Sequence, residues 1–121
     1  MTQEDKQLFI KDLCARLPYG TIYNDIHGDS IVTYIDFEKA WVYLPDFDEC
    51  RSIEDIKPYL RPMSSMTDEE IDRMWEIYES GPAAESSVAV AEYLYERHLD
   101  CHYMIKKGLA LEAPDGMYKI N

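Results

Sequence analysis

The sequence predicts an α+β domain: an N-terminal helix, a three-stranded antiparallel β-meander, two amphipathic helices, and a short irregular or β tail. Three observations predict it. Apolar residues recur at helical spacing near the start and again beyond residue 67. Between them lie short β-rich runs joined by connections too brief for anything but antiparallel neighbours. Finally, 121 residues with 46% hydrophobic content, including ten Tyr and two Trp, suit one folded domain, 1–121.

Residues 3–17 read as the first helix, because Phe9, Ile10, Leu13, Cys14 and Leu17 make one apolar stripe. Thr2 is its expected N-cap, and Glu4 and Asp5 put negative charge at the positive helix end. Pro18-Tyr19-Gly20 stops it. Two β-rich runs follow, Thr21–His27 and Ser30–Asp36, around Gly28-Asp29, which reads as a hairpin turn. Ala40–Leu44 is the third strand.

Residues 45–66 carry Pro45, Pro58 and Pro62 and predict a short helix or packed loop held by Ile53, Ile56, Tyr59 and Leu60. Within it, Ser52 is placed to cap one helical turn, and Pro58 turns Lys57 away from the α region. Thr67-Asp68-Glu69-Glu70 is a capping box opening a helix over 68–79. Ile71, Met74, Trp75 and Tyr78 form its apolar stripe, and Ser80-Gly81-Pro82 ends it. A last helix is expected over about 86–99, with Val88, Ala91, Leu94, Tyr95 and His98 facing inward. Beyond it, His102–Lys107 reads as a helical turn closed by Gly108. Leu109–Glu112 and Met117–Ile120 read as strands around a Pro114-Asp115-Gly116 turn.

Composition narrows the function. Twenty-four carboxylates face 12 Lys and Arg, a net charge of −12. Without a basic stripe, direct nucleic-acid binding and attachment to anionic membranes are both disfavoured. No apolar run approaches a bilayer span and no secretory signal is visible, so a cytoplasmic location is expected. Three widely spaced cysteines, Cys14, Cys50 and Cys101, argue for free thiols in a reducing compartment rather than a disulfide framework.

Three segments carry a resemblance: Lys11–Gly20 (KDLCARLPYG), Asp55–Thr67 (DIKPYLRPMSSMT) and Gly108–Tyr118 (GLALEAPDGMY). They resemble a group of small acidic proteins from Bacteroidetes genomes, phages and mobile elements. The resemblance implies one shared architecture and brings no catalytic or binding residue with it. Asp100–Ile105 departs from the group, in which an Arg-Gly pair follows an aromatic residue.

Two candidate sites remain. His98-Leu99-Asp100-Cys101-His102 places two imidazoles one turn apart on a continuing helix, with a thiol beside them. Imidazole and thiolate suit Zn²⁺, and Cys101 with His98 as base would be the core of a small thiol enzyme. Against both stands the plain reading of a polar helix end, since zinc's second ligand pair is missing. No Walker loop, dinucleotide fingerprint, nucleophile elbow or His-Glu-x-x-His pattern occurs, so the chain carries no assignable catalytic residue.

The second candidate is the distribution of acid. Residues 46–79 hold eleven carboxylates against four basic residues, whereas residues 1–20 balance. On the helix over 68–79, Asp68, Asp72, Glu76 and Glu79 follow i, i+4, i+8, i+11 and make one edge. The plain reading is a solvated face. The functional reading is a surface for another protein with a basic face, in its sharpest form a mimic of a row of DNA phosphates. The aromatic residues at 41, 43, 59, 75, 78, 93, 95 and 103 mostly build the core but leave room for an exposed anchor.

Overall fold

The computed structural model describes residues 1–119. Helix α1 spans Gln3–Arg16 and is capped as its sequence dictates, with the Asp5 amide donating to Thr2 Oγ1 at 3.0 Å. A single 3₁₀ turn (Leu17–Tyr19) follows and closes on Gly20, whose φ of 68° lies in the left-handed region that glycine enters without strain. Helix α2 spans Asp68–Glu79 and α3 spans Ala83–Glu96.

Among the described residues, seven strands fill the space between and after the helices: β1 (Ile22–Asp25), β2 (Gly28–Ile31), β3 (Tyr34–Asp36), β4 (Trp41–Leu44), β5 (Glu49–Ser52), β6 (Lys57–Leu60) and β7 (Leu111–Glu112). They form two sheets. One has the order β2-β1-β6-β7, antiparallel except for the parallel β6–β7 pair, and the other is the antiparallel meander β3-β4-β5. The Arg51 guanidinium on β5 reaches across to the Asp25 carboxylate on β1 at 2.9 Å and ties the sheets together. The core gathers Phe9 and Leu13 of α1, Tyr23, Ile35, Val42, Leu44, Ile53, Ile56 and Leu60, and the tail residues Met104, Leu109 and Ala110.

The α+β class and the order of helix, antiparallel sheet, two helices and short tail are as expected; the strand boundaries are not. Ser30–Asp36 is two strands in two sheets, because the buried phase changes within it. Ser30 and Val32 point inward, Thr33 and Tyr34 both point out, and Ile35 returns to the core. The hairpin turn is Ile26-His27 rather than Gly28-Asp29, since Gly28 pairs directly with Asp25. The meander's third strand, β5, comes from the stretch read as loop. The same stretch contains the Ser52-capped turn over Ile53–Asp55 and then β6, where Lys57 is extended as its proline neighbour requires.

Three further expectations change. Helix α3 begins and ends three residues earlier than read, and Val88 is exposed. The stretch His102–Lys107 is a run of turns, not a helix. Met117–Lys119 is not a strand, and Ile120 lies outside the described residues. The Pro114–Met117 turn does form, with the Met117 amide donating to the Pro114 carbonyl at 3.1 Å and Gly116 at φ 81°.

Candidate functional site

The end of α3 decides the first candidate. His98 has a φ of 61°, its amide donates to the Tyr95 carbonyl at 3.0 Å, and the Leu99 amide donates to the Leu94 carbonyl at 2.9 Å. Those two bonds and a left-handed residue between them are a Schellman motif, usually built on glycine. Leu94 and Leu99, which the motif brings together, are both buried. The chain therefore turns off the helix axis at His98, and the expected one-turn stacking of His98 and His102 does not occur.

The two imidazoles part company. His98 stacks on Tyr118 with ring centroids 3.8 Å apart and shares a 3.0 Å hydrogen bond between Nδ1 and the Thr21 hydroxyl. Burial, then the positive field of Arg16, Arg61 and Arg97, pushes its pKa down to about 4. The Tyr118 hydroxyl in turn donates to the Tyr59 carbonyl at 2.8 Å and accepts from the Ile22 amide at 2.9 Å, clipping the tail to β1 and β6. His102 instead shares a 2.7 Å hydrogen bond between Nε2 and the Tyr95 hydroxyl, whose ring covers the Arg16 guanidinium. Cys101 bonds to the same Tyr95 hydroxyl, and burial pushes its thiol up, away from the reactive thiolate. Among the described residues no three His, Cys, Asp or Glu side chains converge as a metal would require. Cys101 and His102 thus meet at the Tyr95 hydroxyl, while His98 anchors the turn separately on Thr21 and Tyr118.

That turn is knitted into the body. Arg61 donates its amide to the His98 carbonyl and accepts from the Asp100 amide, both at 2.8 Å. Arg16, buried and paired with Asp12 at 2.8 Å, donates to the Leu99 carbonyl at 2.8 Å. The Asp100 carboxylate accepts from the Met104 and Ile105 amides at 2.8 and 3.0 Å.

The second candidate lies on α2. Its capping box is complete: the Glu70 amide donates to Thr67 Oγ1 at 3.1 Å, and the Thr67 amide donates to a Glu70 carboxylate oxygen at 3.0 Å. Glu70 does more than cap. It is 2% exposed, accepts from both Arg61 terminal nitrogens at 2.8 and 2.7 Å, and accepts from Arg97 Nε at 2.8 Å. Hydrogen bonds from Arg61 overcome the cost of burial and, with those from Arg97 and Thr67, hold its carboxyl down at about 2. One carboxylate thereby fastens the start of α2 to β6's end and to the end of α3.

Beyond that anchor, α2 packs chiefly on α3. Glu70, Met74 and Ile77 lie on the covered side. Ile71, Trp75 and Tyr78, expected inside, are instead 36%, 51% and 47% exposed, with the Trp75 and Tyr78 rings edge to face at 5.7 Å. Asp68, Asp72, Glu76 and Glu79 are all exposed, as the acidic edge requires. At 100° per residue the edge falls directly beside the aromatic stripe, with Trp75 between Asp68, Asp72 and Glu79 on one side and Ile71 and Tyr78 on the other. Rises of about 6 Å separate Asp68, Asp72 and Glu76 along the axis. Arg73 pairs with Glu76 at 3.0 Å, so the edge's free charge rests mainly on the other three. Periodicity reveals that an apolar stripe exists but not what covers it, which is why the stripe's exposure is not visible in sequence.

No family model, curated protein or solved structure matches this chain.

Proposed function

We propose that the protein is a non-enzymatic accessory factor that binds another protein through the outer face of α2. The carrying observation is the contiguity of exposed Ile71 and half-exposed Trp75 and Tyr78 with the carboxylates of Asp68, Asp72 and Glu79. Apolar rings rimmed by charge are the composition of a protein-docking patch rather than of a merely solvated face. Covering the exposed halves of Trp75 and Tyr78 removes roughly 200 Å² from water. At about 25 cal/mol per Å² that is about 5 kcal/mol, near the lower bound of the cost of association, so the acid must contribute selectivity and rate.

Mimicry of DNA phosphates is the sharpest form of the reading and is supported by the regular rise of the acidic edge. The adjoining rings favour a partner groove that is apolar as well as basic. Three free cysteines and the lack, among the described residues, of a helix long and apolar enough to cross a membrane support a reducing, cytoplasmic setting. The resemblance to a mobile-element group is consistent with a factor that acts on a host protein.

The test is affinity capture from the native host with wild type and the Trp75→Ala/Tyr78→Ala variant at 50 and 500 mM salt. A partner retained by wild type at low salt, weakened at high salt and lost by the variant is expected. Capture that ignores both salt and the substitutions rules the reading out.

A further inference from the structure

We infer that the element docking on α2 is an amphipathic helix of the partner, with Lys or Arg running beside its apolar row; this rests on the protein-binding reading above. The backbone of α2 satisfies its own hydrogen bonds, so an incoming strand finds no edge to extend and recognition must run through side chains. The apolar stripe from Ile71 to Tyr78 rises about 10 Å along α2, two turns of a convex helical ridge. A second helix laid alongside matches that shape, places its own 3–4-spaced apolar residues against Ile71, Trp75 and Tyr78, and makes a three-helix cluster with α3.

Charge selects among helices. Asp68, Asp72 and Glu79 line one flank of the stripe, and the exposed residues of α3 add Glu85, Glu92 and Glu96. A second copy would bring carboxylates against carboxylates, while nucleic acid and anionic membranes would be repelled. A helix with a basic flank is attracted in one orientation only, which sets its register.

The inference is tested with two 18-residue Leu/Lys peptides of identical composition. In one, Leu follows i, i+3, i+4, i+7; in the other, Leu is spread around the helix. Binding is read by peptide anisotropy, and by Trp75 emission in a Trp41→Phe background, which leaves one of the two Trp. The patterned peptide is expected to bind, shift Trp75 emission to the blue, and lose about tenfold in affinity on Tyr78→Ala. The Asp68→Asn/Asp72→Asn/Glu79→Gln variant should lose comparably and show a flatter salt dependence. Far-UV dichroism and the thermal midpoint establish that each variant is folded; these residues are all exposed, so folding is expected to survive. Equal binding of both peptides, sensitive to the carboxylates but not to Tyr78, overturns helix docking and leaves the acidic binding surface standing. No binding of either peptide at low salt overturns both. Binding untouched by either variant places the peptide elsewhere and also overturns the inference.

Discussion

Replacing Glu70 by Ala should cost the fold about 3–5 kcal/mol, the usual penalty for stranding the partners of a buried charge. The magnitude follows from its surroundings. Glu70 is 2% exposed and its two oxygens accept from Arg61, from Arg97 Nε and from the Thr67 amide, so its removal leaves guanidinium groups facing one another without their shared counter-charge. Those same contacts hold the carboxyl at about 2 instead of 4.5, which corresponds to about 3 kcal/mol. Because the folded value is the lower one, this contribution is complete above pH 4.5 and drains away as pH falls toward 2. Urea unfolding at pH 7 should show the loss with an unchanged m-value. By pH 3 the gap between wild type and variant should narrow by about 2 kcal/mol. Amide exchange should rise first along α2, since Glu70 is the tie between that helix and β6's end. A loss below about 1 kcal/mol, or a gap indifferent to pH, would show that Glu70 does not carry this tie.

Other expectations follow from single sites. His98→Ala should destabilise by removing the Tyr118 stack and the Thr21 hydrogen bond, whereas His98→Gly should cost less because glycine relieves the left-handed backbone; chemical denaturation of both variants orders them. Since the folded His98 has a pKa near 4 against an ordinary 6.5, the unfolded state takes up its proton first as pH drops, and stability should decline between pH 6.5 and 4 less steeply in His98→Ala than in wild type, the half-buried His102 supplying the decline that remains. Trp75→Ala, at a half-covered residue, should cost clearly less than Leu60→Ala at about 2–5 kcal/mol, because only Leu60 is in the core. Cys50 should be alkylated well before Cys14 and Cys101, whose thiols burial pushes up, with mass spectrometry reporting the order.

What was legible in the sequence is what local chemistry controls. Thr2 and Thr67 cap the helices they precede, Ser52 caps its turn, and Gly116 closes the Pro114 turn, because each bond spans only a few residues. The partition of strands was not legible. Ile31-Val32-Thr33-Tyr34-Ile35 is uniformly β-prone, so nothing within it marks where the chain leaves one sheet for the other. The stop at His98 was hidden for a related reason: a histidine fills a position that glycine ordinarily announces, and it is held there by Thr21 and Tyr118 from far along the chain. At the candidate site the acidic edge could be read from spacing. The exposure of Trp75 and Tyr78 beside it depends on α2 turning Glu70 and Ile77 toward the body, a choice made by Arg61 and Arg97.

Photo-cross-linking in the native host from position 72 on α2, compared with position 38 on the β3–β4 connection, tests whether a partner protein docks on α2. A single dominant protein adduct is expected from position 72, its cross-linked peptide rich in apolar and basic residues, and none from position 38. The same adduct from both positions, or none from position 72, would contradict that docking.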